Sequence, residues 1–123
     1  MEEKYNAQGL EVLGFISNDF DQAGSPADID ACTNKYGITF DQFALDHVTN
    51  PNPQPVFEWL ISQPNPGPAP TSEPTWNFHK YLVSRDGQLI AHFPREEYWG
   101  EDPSSATFQN SPVVIAIEAE LAK

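Results

Sequence analysis

The tightest constraint on folding is local: two β-favouring runs, Phe78 to Ser84 and Gln88 to Phe93, are joined around Asp86-Gly87. That pattern predicts a β-hairpin, because glycine takes up the positive-φ position that a tight turn demands. Pro94 closes the second run, since proline has no N–H to give a ladder.

Around this hairpin the remaining elements can be placed by their caps and periodicity. Glu2 to Gln8 reads as the last two turns of a helix stopped at Gly9, and Leu10 to Phe15 as a short buried strand followed by turn residues. Ser25-Pro26-Ala27-Asp28 combines a capping hydroxyl, proline at the first helical position and an acid in the first turn, so a helix is expected to about Tyr36, ending at Gly37. Ile29, Cys32 and Tyr36 fall on one side of it, which predicts that Cys32 points inward. Ile38 to Phe43 suits a short extended segment. The proline-rich approach Asn50 to Pro55 leads into a helix Val56 to Ser62 with Phe57 and Leu60 towards the core. Gln63 to Thr75 is a connecting loop by its proline content, Glu96 to Gln109 is polar and irregular, and Ser111-Pro112 starts a last helix with Val114, Ile117 and Leu121 on a shared face.

At 123 residues the chain fits one compact α/β domain spanning 1–123. Six basic against eighteen acidic residues give a formal net charge of -12, which repels phosphate backbones and anionic lipid surfaces and argues against nucleic-acid and membrane partners. Met1-Glu2-Glu3-Lys4 is not the basic start of a signal peptide, and the single cysteine cannot form an internal disulfide, so the expected location is cytoplasmic.

The chemistry-bearing string is Trp76-Asn77-Phe78-His79-Lys80-Tyr81-Leu82-Val83. Its indole N–H and side-chain amide are neutral donors of the kind that steady an anion without blocking its attack. Upstream stand Gly9-Leu10-Glu11-Val12-Leu13-Gly14-Phe15, then Ser17-Asn18-Asp19-Phe20 and Gln22. Together these strings resemble the glutathione peroxidase family over nearly the whole chain. The resemblance implies a thioredoxin-like sheet flanked by helices, lacking the first strand and part of the first helix, because the match begins after the point where the family carries its peroxidatic cysteine or selenocysteine. In that fold the absent strand lies between those matching Leu10 to Phe15 and Phe78 to Ser84. These neighbours are then expected two strand spacings apart, roughly 9 to 10 Å, too far to pair.

The same resemblance assigns Trp76, Asn77 and, with an altered local spacing, Gln22 to the catalytic tetrad, whose peroxidatic member is missing here. It puts Cys32 where thioredoxin-dependent members keep a resolving cysteine. The alternatives for Cys32 are a small buried apolar residue, or itself the peroxidatic residue. The family reaction is thiol-dependent reduction of hydrogen peroxide or organic hydroperoxides, with glutathione or thioredoxin as reductant and no other cofactor. This chain alone is expected to be inactive or nearly so, as a truncated enzyme or a selenoprotein whose selenocysteine codon was read as a stop. The other reading is a non-enzymatic thioredoxin-fold binding module. The short Gln63 to Thr75 connection resembles that of monomeric members.

The remaining polar residues read as structural. Ser17 has no neighbouring histidine or acid in sequence to activate it, and His47, His79 and His92 show no metal-ligand spacing. Asp19, Asp21, Asp28 and Asp30 lack the alternation, glycine and closing glutamate of a calcium loop. Glu96-Glu97 and Glu101-Asp102 suit a solvated acidic surface, and Pro51, Pro53 and Pro55 a stiffened loop.

Overall fold

A computed structural model of the chain describes residues 1–100 and 102–123. Glu101, read as part of an acidic surface, lies outside the described residues.

Helix α1, Glu2–Tyr5, runs into a 3₁₀ turn, Asn6–Gln8, and stops at Gly9 with φ 101°. Strand β1, Leu13–Phe15, pairs in parallel with β2, Asp41–Phe43, in the register Leu13 to Asp41. Between them lies α2, Pro26–Tyr36, opened by a capping box in which Ser25 Oγ accepts from the Asp28 N–H and the Asp28 carboxylate accepts from the Ser25 N–H. Gly37 ends it in the left-handed conformation, φ 59°.

The predicted inward side of α2 is not what forms. Cys32 is exposed, Tyr36 is 68% exposed and no residue of the helix is fully buried. The physical reason is what the helix leans on. Its side-chain tie to the sheet is polar, Thr33 Oγ1 with the Gln42 amide at 3.1 Å, so the i, i+3 and i+7 positions meet no apolar layer.

Helix α3, Pro55–Ser62, buries Phe57 and Leu60 as its spacing predicts. Strands β3, Lys80–Val83, and β4, Leu89–Phe93, form the expected hairpin, with Tyr81 opposite His92. The Ser84 N–H donates to the Gln88 carbonyl, which leaves Arg85, Asp86 and Gly87 as a three-residue loop with Gly87 at φ 75°. Among its described residues the polar segment after Pro94 contains one short helix, α4, Ala106–Gln109, which the sequence did not lead us to expect. Its cap is Ser105 Oγ accepting from the Phe108 N–H. Helix α5, Pro112–Leu121, buries Val113, Val114 and Ile117.

Side chains alternate across β3, and each face meets its own cluster. On one face Leu82 and Phe93 pack with Tyr5, Phe108, Val113, Val114 and Ile117, so α1, α4 and α5 cover it. On the other, Tyr81 and Leu89 pack with Val48, Phe57 and Leu60 beneath α3. Phe57 meets Phe15 of β1 edge-on at 5.4 Å and Tyr81 of β3 edge-on at 5.9 Å, so one aromatic ring of α3 spans both sheets. Among the described residues β1 and β3 are not hydrogen-bonded to each other; the strands form two separate two-stranded sheets. The α/β class and the unpaired relation of these two strands are as the sequence led us to expect.

Candidate active site

Gln22, Trp76 and Asn77 all sit in connections at strand ends. Trp76 and Asn77 lie in the turn that feeds β3, and Gln22 follows the turn that leaves β1. What ties the two connections together is aromatic: the Trp76 ring lies 5.5 Å from Phe20, tilted by 44°. Trp76 remains 42% exposed and Asn77 half-buried. Gln22 is exposed, and its amide donates to the adjacent Asp21 carbonyl at 3.3 Å. The structure thus brings the Trp76 segment onto the Phe20 turn, while the Gln22 amide is engaged with its own backbone.

The Phe20 turn is held by Asp19, to which the sequence assigned no role of its own beyond its place in the Ser17-Asn18-Asp19-Phe20 string. Its Oδ2 accepts from the Val48 N–H at 2.7 Å, the Thr49 N–H at 3.0 Å and the Thr49 hydroxyl at 3.0 Å, and its Oδ1 pairs with His47 Nδ1 at 2.6 Å. Burial on its own would raise the Asp19 carboxyl. The Val48 amide, the His47 ring and the Thr49 amide and hydroxyl outweigh it and hold the carboxyl at about 2. In return the bond to Asp19 raises His47 above its ordinary value. Ser17 Oγ accepts from the Asp19 N–H at 3.2 Å, a local turn bond. Asp28 is occupied by its helix cap, and among the described residues no three histidine, cysteine or acidic side chains are grouped to hold a metal.

On the β3 side, Phe78 follows Asn77 with φ 56° and is 74% exposed, an unusual backbone for a bulky side chain. It forms one wall of an open cavity of about 650 Å³ completed by Lys80, Arg95, Glu96, Tyr98 and Trp99, which begins where the donor pair ends. Lys80 Nζ donates to the carbonyls of Pro94 at 3.1 Å and Glu97 at 2.8 Å, fixing the strand exit beside it.

The sequence reading missed one grouping altogether. His79 Nε2 and His92 Nδ1 are 3.1 Å apart, with the rings stacked at 5.2 Å. Their separation along the chain hid this, yet the hairpin register carries it: His92 faces Tyr81, and His79 is the next residue on the same face. Cys32, on exposed α2, is not part of any of these groupings.

No protein-family model matches the chain. Among curated proteins it is 35% identical over 94 residues to the glutathione peroxidase homolog BsaA of Bacillus subtilis, covering 74% of this chain and 58% of that protein. It is 37% identical over 99 residues to the glutathione peroxidase of Lactococcus lactis subsp. cremoris, covering 77% and 62%. With the hydroperoxy fatty acid reductase Gpx2 of Synechocystis it shares 31% identity over 96 residues, 76% of this chain and 58% of the relative. The chain therefore spans about three fifths of the length of these relatives. With the Trp76-Asn77 string leading into β3, the Phe20 turn beside it and these identities, the chain belongs to the glutathione peroxidase family and has its thioredoxin-like α/β fold.

Proposed function

We propose that this chain carries the anion-stabilising part of a thiol-dependent hydroperoxide reductase, with Trp76, Asn77 and Gln22 as the donor set. The observation that carries the reading is the contact of Trp76 with Phe20, which holds the segment entering β3 against the turn that leads to Gln22. In the family reaction a thiolate or selenolate attacks the O–O bond. It takes one oxygen as sulfenic or selenenic acid and releases water or an alcohol; two thiol equivalents from glutathione or thioredoxin then regenerate it. Neutral donors around the anion lower its pKa and leave its lone pair free to attack. The one cysteine of these 123 residues is Cys32, which in this reading is the resolving thiol. Its exposure on α2 suits it to an incoming partner. The chain alone is expected to turn over peroxide slowly or not at all.

The test is peroxide consumption by the chain alone and by the chain joined to a family segment bearing the peroxidatic cysteine. Activity is expected only in the second, falling about 10²-fold in Trp76→Phe or Asn77→Ala, the cost of removing one donor to a developing anion. Cys32→Ser should slow turnover with thioredoxin and spare turnover with glutathione. Peroxide turnover by the unmodified chain that disappears in Cys32→Ser would instead make Cys32 the peroxidatic residue and overturn the assignment.

A second reading, a binding module without redox chemistry, is favoured by the edges of the sheets. Among the described residues both β1 and β3 have a ladder on one side only, and an extended segment of a partner can add to such an edge. A cooperative thermal melt of the chain, with no peroxide turnover even after joining the family segment, would favour this reading over the first.

A further inference from the structure

The two connections that carry the proposed donor set are bound to each other through a third segment, residues 46–50, which neither reading uses. Three successive N–H groups of that segment end on two carboxylates. Those of Val48 and Thr49 donate to Asp19 Oδ2 at 2.7 and 3.0 Å, and that of Asn50 donates to Glu73 Oε1 at 2.7 Å. Asp19 belongs to the connection that leaves β1, three residues before Gln22; Glu73 belongs to the one that enters β3, three residues before Trp76. The circuit is closed on its far side by Phe20 against Trp76, at 5.5 Å. One segment is thus gripped from both connections at adjacent residues, and any change in their spacing must stretch either a carboxylate–amide bond or the aromatic contact.

Each part of this circuit is itself anchored. The Val48 side chain is buried with Phe57 and Leu60, and Phe20 packs on the same cluster. The Asp46 N–H donates to the Ile16 carbonyl at 3.1 Å and the Gln54 N–H to the His47 carbonyl at 2.9 Å, so the 46–50 backbone is tied at its start and folded back on itself. On the β3 side Ser72 Oγ donates to the Leu60 carbonyl at 2.9 Å from a fully buried position. Bonds from N–H groups to ionised carboxylates are short and stronger than those between neutral groups. Such a hold has a purpose here. Among the described residues the positive-φ positions outside glycine are Asp21, φ 53°, and Phe78, φ 56°, and each adjoins a proposed donor, Gln22 in one case and Asn77 in the other. Backbone in that region persists where its surroundings over-determine it.

We infer that Asp19 and Glu73 are positioning residues: by holding the N–H groups of 48–50 between them, they set the distance from the Phe20–Gln22 turn to the Trp76–Asn77 turn. Neither acts on the reacting atoms. The inference rests on the proposed donor role of Trp76 and Asn77 and adds to it the device that fixes where those donors stand. The hydrogen bonds of Glu73 run to Asn50 and Thr71, so its hold on the Phe20 turn passes through the 48–50 backbone. A misplacement of about 1 Å at a reacting centre can cost about 10²-fold in rate, which is why so small a bracket matters.

The first measurement is made on the chain itself, by NMR. In Glu73→Ala the Asn50 amide should lose its protection from exchange, and the cross-peaks between the Phe20 ring and the Trp76 indole should weaken. Glu73→Gln keeps an acceptor oxygen for Asn50 and should retain both. The second measurement is peroxide turnover by the chain joined to the family segment that bears the peroxidatic cysteine. Asp19→Ala and Glu73→Ala should each lower kcat/KM for peroxide by about 10- to 10²-fold, with Asp19→Asn and Glu73→Gln close to the parent. When Trp76→Phe and Asn77→Ala are already present, Glu73→Ala should add little further loss, because the bracket acts through those donors; a general weakening of the fold would add its full cost. If Asp19→Ala fails to fold, Asp19→Asn and the Glu73 variants decide. Phe20–Trp76 cross-peaks unchanged in Glu73→Ala, full turnover in that variant, or the same loss with and without the donors would each overturn the bracket and leave the donor assignment standing. A joined protein that never turns over peroxide, or one indifferent to Trp76→Phe and Asn77→Ala, would sink the donor reading and the positioning role with it.

Discussion

Among single residues, Phe108 and Asp19 carry more of this molecule than their sequence context suggests. Phe108 is 1% exposed and stacks near Tyr5, although it lies in a stretch read as irregular. Phe108→Ala is expected to cost about 3 to 5 kcal/mol in a denaturant melt, the usual loss for a truncated core aromatic, and so to approach the whole stability of a small domain. Asp19 is the main partner that raises His47, so in Asp19→Ala the His47 titration should fall towards its ordinary value, measurable by NMR, with Asp46 still favouring the charged ring. The proposed donors Trp76 and Asn77 could be named from the sequence because an indole N–H and a side-chain amide are donors by residue type. Asp19 could not. A carboxylate that gathers four donors from residues 47–49 looks like any acidic turn residue until those backbones are beside it. The exposure of Cys32 was misjudged for a related reason, since helical spacing tells which residues share a side and not what stands opposite.

At the scale of elements, caps and turns were the most readable features. Ser25, Pro26 and Asp28 start α2, Gly37 ends it, and Gly87 turns the hairpin, all through local backbone chemistry. Gly87→Ala should cost about 1 kcal/mol, from placing a Cβ at φ 75°. Ser25→Ala should remove about 1 kcal/mol from the helix. Because α2 buries no residue fully, that loss is expected to speed amide exchange over 26–36 and barely move the melting temperature. A thiol reagent should likewise titrate Cys32 completely in the native protein without denaturant. The exceptions to local legibility are α4, four residues long and dependent on the burial of Phe108, and the pairing of β1 with β2, which brings together segments more than twenty residues apart.

For the whole molecule the pH dependence of stability follows from His92 of β4 and from three groups in the connections, His79, Asp19 and His47. His79 is lowered to about 4 by burial and then by the neighbouring His92, and His92 is itself lowered by burial. The unfolded chain therefore binds more protons than the folded one below about 6.5, and stability should fall as pH drops from there through 4. Asp19 extends the loss, since its contribution is present above its ordinary 3.8 and disappears as pH falls towards 2. His47 acts oppositely, stabilising below about 6.5 and ceasing to do so as pH rises through its raised value. Urea melts from pH 3 to 8 should show a steep acid limb and a shallow decline on the alkaline side; a flat acid limb would contradict histidines held neutral by partial burial. Taken alone, the order of residues determined the hairpin, the helix caps, the α/β class and the family, because each rests on a few neighbouring side chains or on identity to relatives. Which faces are buried, that Phe57 spans two unjoined sheets, that Asp19 pins the Phe20 turn and that two distant histidines share a proton were decided by folding. Those relations join segments far apart in the chain, and periodicity carries no information about a partner surface until the surface is there.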